Sequence, residues 1–595
     1  MTSPIQLDGA AAQAIEQGRA RLALGTVLFA LAFATIGVRL VDVTLAKEAG
    51  EPRLAAAPKT AAGQVGRADI VDRNGMLLAT SLKTASVYAN PREIRDPTEA
   101  AQKLARVLPG LSEAEVETKL KSDRSFIWVK RNLTPRQLAE VNRLGLPGVH
   151  FQAEERRVYP HGPLAAHVVG FTDVDGKGLA GIEQRFDEVL RGGSRPVRLS
   201  IDLRLQHILR EELQKSVEEF SAVGAAGMVM DVHTGEVLSM VSLPDFDANQ
   251  PGTVAADTRF NRNTLGVYEM GSTFKIFNTA MALDAGVTNL RAGYDASRPI
   301  KVARFTINDD HAKNRWLSTP EIFMYSSNIG SVKMALDVGV EGQKAFMARL
   351  GMTSRPSFEL PEVGAPLVPR PWREINAMTI AFGHGISVSP LQLVTGVAAV
   401  VNGGIMRPAT LIYRDPQESL PPGRRVLSER TSEQMRKLLR LVVESGTGKN
   451  AGSRLYPVGG KTGTAEKVSG RGYAAKRLLS SFVSAYPVND PRFVVLVMVD
   501  EPKGTKRTFG YATGGWVAAP VVRQVIDRMG PLYGLPPVDL ADPEVRRALE
   551  INPAKPAAPP AVQTARLPAA PAASPPPAGR PTPAPEKRLA SFRTD

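Results

Sequence analysis

The chain has 595 residues, too many for one ordinary domain at about 150 residues each, and its 43% hydrophobic and 22% charged content excludes global disorder. Lys and Arg outnumber Asp and Glu by 74 to 59, and the net charge of +15 favours anionic surroundings such as a phospholipid surface without naming a partner. Cysteine is absent, which excludes a disulfide framework, a thiol nucleophile and a thiolate metal site, though not an oxidising compartment.

Leu22 to Val38 carries no charge and is flanked by Arg19, Arg21 and Arg39. Its length sits at the lower limit of the about 17–25 residues that span a bilayer, and Leu40 and Val41 extend it if Arg39 snorkels. A transmembrane anchor is expected over 22–41, after a cytoplasmic N-terminus over 1–21. A cleaved signal peptide is the alternative, with Ala32-Phe33-Ala34 as its cleavage site, but the apolar run continues past that point. Both flanks hold Lys or Arg, so charge alone does not orient the segment. Residues 42–66, rich in Ala, Gly and Pro, read as a spacer.

A mixed α/β pedestal is expected over 67–196. Arg67 to Gly75 reads as a strand entering an Asn-Gly turn. Asp96-Pro97 starts a helix that runs to about Leu108, and a second helix runs from Ser112 to Leu120. Residues 197–535 read as an α+β domain, an antiparallel sheet packed with helices. A helix covers Leu203 to Phe220, and Ala226–Asp231 and Glu236–Val241 form a hairpin around His233-Thr234-Gly235. Strands are expected around Lys461 and over Phe493–Val499, then a helix near Val517–Met529. Residues 536–595 turn to Pro and Ala and read as a disordered tail. The basic residues are scattered, and no helix-turn-helix or RNP pattern suggests nucleic acid.

Three short motifs carry the chemistry: Ser272-Thr273-Phe274-Lys275, Ser326-Ser327-Asn328 and Lys461-Thr462-Gly463-Thr464. On a helix, residues three apart share a face, so Lys275 can lie beside the Ser272 hydroxyl. Serine is a weak nucleophile until a base takes its proton, and a lysine whose charge is disfavoured by burial and a cationic neighbour can be that base. Lys461 is the candidate neighbour. Ser326 can relay a proton to the leaving amine, and Asn328 can hold a substrate amide. A strand with Thr462, Gly463 and Thr464 offers hydroxyls for a carboxylate and a backbone edge for an extended peptide, with Gly463 leaving room for its approach. The N–H groups of Ser272 and Thr464 form the candidate oxyanion hole, a term of about 3–4 kcal/mol per donor. Each motif alone is weakly specific; the set in this order is the one shared by penicillin-binding proteins and class A β-lactamases.

The chain resembles the class B penicillin-binding proteins over roughly Arg67 to Val521. Arg67–Gly75, Arg157-Val158-Tyr159-Pro160-His161-Gly162 and Gly178–Glu183 look like the family's three non-catalytic boxes. Ala381-Phe382-Gly383-His384-Gly385-Ile386, followed by Ser389-Pro390-Leu391-Gln392, is similar to the segment between the second and third motifs. Met270 stands where proline is usual and His384 where glutamine is common; neither removes a reacting group. The resemblance implies a membrane-anchored peptidoglycan D,D-transpeptidase with Ser272 as nucleophile, β-lactams as covalent inhibitors, a periplasmic catalytic domain and no cofactor. Phe274 and the Lys461–Lys467 run followed by Tyr473 resemble the division branch more than the elongation branch. Such enzymes work beside a polytopic glycan polymerase and other division proteins, and Gly25, Ala30, Ala32 and Ala34 would let another helix approach.

Other readings remain open to test. A β-lactamase needs neither anchor nor pedestal. A D,D-carboxypeptidase would use water in place of the amine. Glu154 to His161 is a near miss to a glycosyltransferase motif, rejected because Pro163 stands where its last glycine should be and Val158 where its aromatic should be, and a silent penicillin sensor or scaffold would keep the fold. The seven histidines show no metal-ligand spacing. Asp309-Asp310 reads as a loop carboxylate pair near the cleft, and Arg67, Asp72 and Glu183 as ion-pair partners fixing the pedestal to its neighbour.

Overall fold

The structure is a computed structural model that describes residues 9–41, 66–193, 195–302, 305–469 and 472–551. Helix α1 (Gly9–Val41) is longer than the expected anchor, because the Ala-rich residues before it are strong helix formers. Within it, Arg19–Gly37 is long and apolar enough to cross a membrane, and none of it is buried against the rest of the protein. The expected spacer lies outside the described residues except for Gly66.

The pedestal is built on strands β1 (Ile70–Val71), β2 (Leu77–Ala89), β3 (Ile127–Leu133), β4 (Val149–Val158) and β5 (Val197–Arg198). The long β2 pairs with β1, β3 and β4, while β5 joins β1 in parallel. Helices α2 (Pro97–Val107) and α3 (Glu113–Leu120) start where expected, capped by the Asp96 carboxylate and the Ser112 hydroxyl. With α4 (Pro135–Arg143), which opens on a capping box from Thr134 and Gln137, they close a separate small core against one face of the sheet.

The charges expected to join the modules do something different. Glu183, fully buried, accepts from Arg67 at 2.6 Å and from Arg157 at 2.7 Å, and Arg67 also reaches Asp187 at 2.7 Å. All four residues belong to the pedestal, so the cluster binds its segments to one another. Asp72 takes no part in that cluster. Its carboxylate accepts backbone N–H groups of Asn74 and Met76 at 2.7 and 2.8 Å, shaping the Gly75 turn, and that of Leu203 at 3.1 Å. Asp72 thus joins the pedestal to the catalytic domain at a helix start, where unpaired N–H groups favour an anion.

The catalytic domain begins with α5 (Leu203–Glu219), then the hairpin β6 (Gly224–Asp231) and β7 (Val237–Leu243). Three further strands, β8 (Gly459–Ser469), β9 (Gly472–Tyr486) and β10 (Phe493–Asp500), complete an antiparallel sheet of order β8-β9-β10-β6-β7. Every residue of β10 is buried, as a strand covered on both faces requires. One face packs α5 and the C-terminal helix spanning Gly514–Leu532. The other packs three helices, α6 (Lys275–Asp284), α7 (Pro390–Val401) and α8 (Glu429–Glu444).

The expected tail boundary at 536 is too early. Asp542 caps a short helix, Pro543–Leu549, by accepting from Glu544 N at 2.7 Å. Leu549 is buried and Ile551 packs on the larger core, so burial holds this segment where composition alone suggested none. The tail beyond Ile551 lies outside the described residues.

Two outcomes follow from these contacts. Glu183→Ala leaves the buried Arg157 without its carboxylate and Arg67 with Asp187 alone, and should cost about 3–5 kcal/mol in denaturant unfolding, whereas surface pairs such as Lys103 with Glu99 should cost under about 1 kcal/mol. A chain ending at Ile551 should bind labelled penicillin as the full chain does, whereas one ending at Leu535 should lose thermal stability because Leu549 and Ile551 leave the core.

Candidate active site

Ser272 lies in a 3-10 turn, Gly271–Phe274, that runs directly into α6. The three-residue spacing brings Lys275 Nζ to 3.1 Å from Ser272 Oγ. Lys275 is only 1% exposed, because the helix it opens is buried as far as Leu283. Its Nζ also meets Ser326 Oγ at 3.0 Å, the Ser326 carbonyl, and Asn328 Oδ1 at 2.6 Å. Four oxygens exceed the three N–H bonds of an ammonium. A neutral amine also makes three bonds, with its lone pair free to accept from the Ser272 hydroxyl and its two N–H groups shared among the other oxygens. Burial pushes Lys275 down to about 7, against the opposing pull of Asp310 and Asp309.

Lys461 approaches from β8 and sits 3.0 Å from the same Ser326 hydroxyl. It is fully buried, and burial, reinforced by the nearby Lys275, holds it well below an ordinary lysine. Ser326 can stand between the two because its backbone is left-handed, φ 62° and ψ 42°, at the end of the helix Thr319–Tyr325. Such a conformation is strained for a residue with a Cβ and persists where the surroundings enforce it. Here the enforcing group is Asp309: it accepts from Ser327 Oγ at 2.7 Å and from Ile329 N at 2.9 Å, pinning the turn to the next helix, Asn328–Val338.

The strand β8 is the sheet edge, so one side of Lys461–Thr464 has no strand partner while the other pairs with Ser480–Val483 of β9. Thr462 and Thr464 share a face. Thr462 Oγ1 lies 2.8 Å from Thr447 Oγ1, and Thr464 Oγ1 accepts from Gly514 N at 3.1 Å. Gly463, expected to leave room for a peptide, also leaves room for the protein's own atoms. A Cβ there would stand 2.4 Å from Ser481 Oγ and 2.8 Å from Thr273 Cγ2, so the glycine lets the nucleophile turn seat on the strand. Gly271, at φ +53°, makes the matching contact, since its Cβ would lie 2.6 Å from Thr464 O. Ser272 and Thr464 are thereby side by side, as two oxyanion donors must be.

The fold brings together the motif residues that the sequence set together. Asn328, expected to hold a substrate amide, here accepts from Lys275 through its Oδ1 and donates to Asn308 O through its Nδ2 at 2.8 Å. Four contributors were missed: Asp309 as the brace of the turn, Thr447 beside Thr462, Glu269, and the Gly383–Gly385 turn. Gly385 N donates to Glu269 Oε1 at 2.7 Å and Gly271 N to Gly383 O at 3.3 Å, so that turn clamps the segment before Ser272. Burial lowers the His384 imidazole below its ordinary value, opposed by Glu269. Met270, in the place of the usual proline, is simply a core residue at 2% exposure. Among the described residues no cluster of three His, Asp or Glu could hold a metal ion.

The chain matches the penicillin binding protein transpeptidase domain over residues 225–527 and the penicillin-binding protein dimerisation domain over residues 62–217. It belongs to that family. A probable peptidoglycan D,D-transpeptidase FtsI of Caulobacter vibrioides is 45% identical over 483 residues, covering 79% of this chain and 82% of that protein. The peptidoglycan D,D-transpeptidase FtsI of Escherichia coli K12 is 30% identical over 541 residues, 84% of this chain and 90% of its own. Among solved structures, the apo transpeptidase domain of Burkholderia pseudomallei penicillin-binding protein 3 is 34% identical with a TM-score of 0.51, covering 57% of this chain and 97% of that one. Penicillin binding protein 3 of Mycobacterium tuberculosis, complexed with aztreonam, shares the fold at 24% identity and a TM-score of 0.63, over 80% of this chain and 97% of that one. This penicillin-binding protein is a peptidoglycan D,D-transpeptidase with the α+β transpeptidase fold preceded by a pedestal.

Removing the Ser272 hydroxyl leaves no sizeable cavity, so Ser272→Ala should abolish penicillin acylation with a melting temperature close to wild type. With Lys275 as the base, the acylation rate should fall as pH drops below about 7, a limb read from stopped-flow acylation profiles.

Proposed function

We propose that Ser272 forms the acyl-enzyme, with Lys275 as its base, Ser326 as the proton relay, and Lys461 as the electrostatic partner that keeps the relay polarised. The observation that carries this reading is the single Ser326 hydroxyl held 3.0 Å from each of two buried lysines, one of which touches Ser272. Lys275 takes the Ser272 proton as Oγ attacks the penultimate D-Ala carbonyl of a donor stem peptide. The carbonyl oxygen turns toward the Ser272 and Thr464 N–H groups. Ser326 passes a proton to the departing D-Ala amine, and the amine of a second stem peptide then replaces the serine oxygen. Thr462, Thr464 and Thr447 offer hydroxyls for the donor carboxylate, and the free edge of β8 receives the peptide backbone as an added strand. A β-lactam would acylate Ser272 by the same steps, a reading supported by the aztreonam complex of the tuberculosis relative.

The apolar helix Arg19–Gly37 anchors the protein in the cytoplasmic membrane, with the pedestal and catalytic domain on the periplasmic side where the substrate lies. The FtsI relatives support a septal role, alongside a polytopic glycan polymerase and other division proteins. Wild type should release D-Ala and form cross-linked dimers from stem-peptide substrate, and the Ser272→Ala variant should do neither. Depleting the protein should give filaments that elongate without dividing; round, swelling cells would assign it to elongation.

A further inference from the structure

Beside the nucleophile the protein has a cleft of about 570 Å³ that the acylation chemistry leaves unused. Its walls start within a few residues of the reacting groups. Ala465 and Glu466 follow Thr464 on β8, Glu269 precedes Met270-Gly271-Ser272, and Gly385 belongs to the turn clamped on that segment. Leu367 and Leu479 give it an apolar lining. The charges are arranged with a definite polarity. The acylation cleft is lined by Lys275, Lys461 and threonine hydroxyls, which suit the donor carboxylate. The adjoining cleft carries the Glu269 and Glu466 carboxylates, while its lysine, Lys467, is already paired with Asp500 at 2.9 Å and Glu501 at 2.8 Å. The second half-reaction of the reading above needs an amine nucleophile, and an aliphatic amine is an ammonium ion in water at neutral pH.

We propose that this cleft is the acceptor subsite and that Glu466, with Glu269, draws in a cationic amine acceptor next to the Ser272 ester. The proposal rests on the transpeptidase reading above. The acceptor ammonium gives its proton to Lys275 as it leaves the carboxylates for the ester. Its nitrogen attacks the acyl carbon, the new C–N bond forms, the C–O bond to Ser272 breaks, and Ser272 Oγ recovers the proton held by Lys275, which then takes the second N–H proton as the amide forms and releases it to solvent. No other reactant is required.

The test uses the full chain in detergent, acylated with a thioester stem-peptide analogue, and follows partition of the acyl-enzyme between water and an added nucleophile. D-lysine serves as cationic acceptor and hydroxylamine as one that is neutral at pH 8. Reversing the wall charge with Glu466→Lys should raise the apparent KM for D-lysine about tenfold, while hydroxylamine capture changes less than about twofold. Leu367→Trp, which narrows the cleft without altering charge, should depress D-lysine more than the smaller hydroxylamine. Unchanged partition to D-lysine in both variants overturns the proposal, as does an equal loss with both nucleophiles, which would mean damage to the ester site itself. A wild-type chain that forms no acyl-enzyme, or forms one that only water resolves, would instead sink the transpeptidase reading, and this inference with it.

Discussion

Two lysine side chains converge on one serine hydroxyl in the interior of the protein, and much of the catalytic domain is arranged around the consequences. Neither Lys275 nor Lys461 has bulk water to stabilise its charge, and each raises the cost of charging the other. Moving Lys275 from 10.5 to about 7 corresponds to roughly 5 kcal/mol of disfavoured charge, a large part of the margin by which a domain is stable. Such a group stays in place only if its surroundings are stiff. The buried helix α6, the left-handed turn at Ser326 and its brace on Asp309 supply that stiffness on one side. The sheet edge supplies it on the other.

That edge serves two purposes with one backbone. Inward, β8 is hydrogen-bonded to β9 over Gly459–Glu466, so the position of Lys461 is set by a long ladder and not by a loop. Outward, the same strand has no neighbour, which is ordinarily an invitation to aggregation. Here the nucleophile turn covers part of it through glycine contacts at Gly271 and Gly463, leaving a slot and not a bare edge. An extended peptide entering the slot meets preformed donors and acceptors, so little reorganisation is needed at the moment of bond exchange.

What the sequence made legible was chemistry that is local in the chain. Ser272 and Lys275 share one helical turn, Thr462 and Thr464 alternate along one strand, and the helix starts at Asp96 and Ser112 are capped by the residue at the start itself. What stayed hidden depends on pairs far apart in sequence. Asp309 braces a turn eighteen residues away, Glu269 meets Gly385 across 116, and Asp72 caps a helix start 131 residues on. No spacing rule flags such partners, so Asp72 was taken for an ion-pair residue and Asp309 for half of a loop carboxylate pair near the cleft. At Gly463 the sequence suggested room for a ligand but did not reveal Ser481 and Thr273, the distant residues whose atoms the missing Cβ also accommodates. The helix Pro543–Leu549 was missed because Pro-rich composition outweighed a single capping Asp and two apolar residues whose worth depends on the core they reach.

The helix α7 has a bearing on how such a domain reaches its destination. Every residue from Pro390 to Val401 is buried, and apart from Gln392 and Thr395 the stretch is apolar or small. A helix so greasy invites retention in lipid whenever a chain is threaded unfolded through a membrane channel. Twelve residues rise only about 18 Å, well short of the roughly 30 Å of a hydrocarbon layer. The core helix can therefore be as oily as packing demands without being long enough to span, and among the described residues Arg19–Gly37 is the helical stretch long and apolar enough to do so. With no cysteine to oxidise, folding waits on no disulfide chemistry.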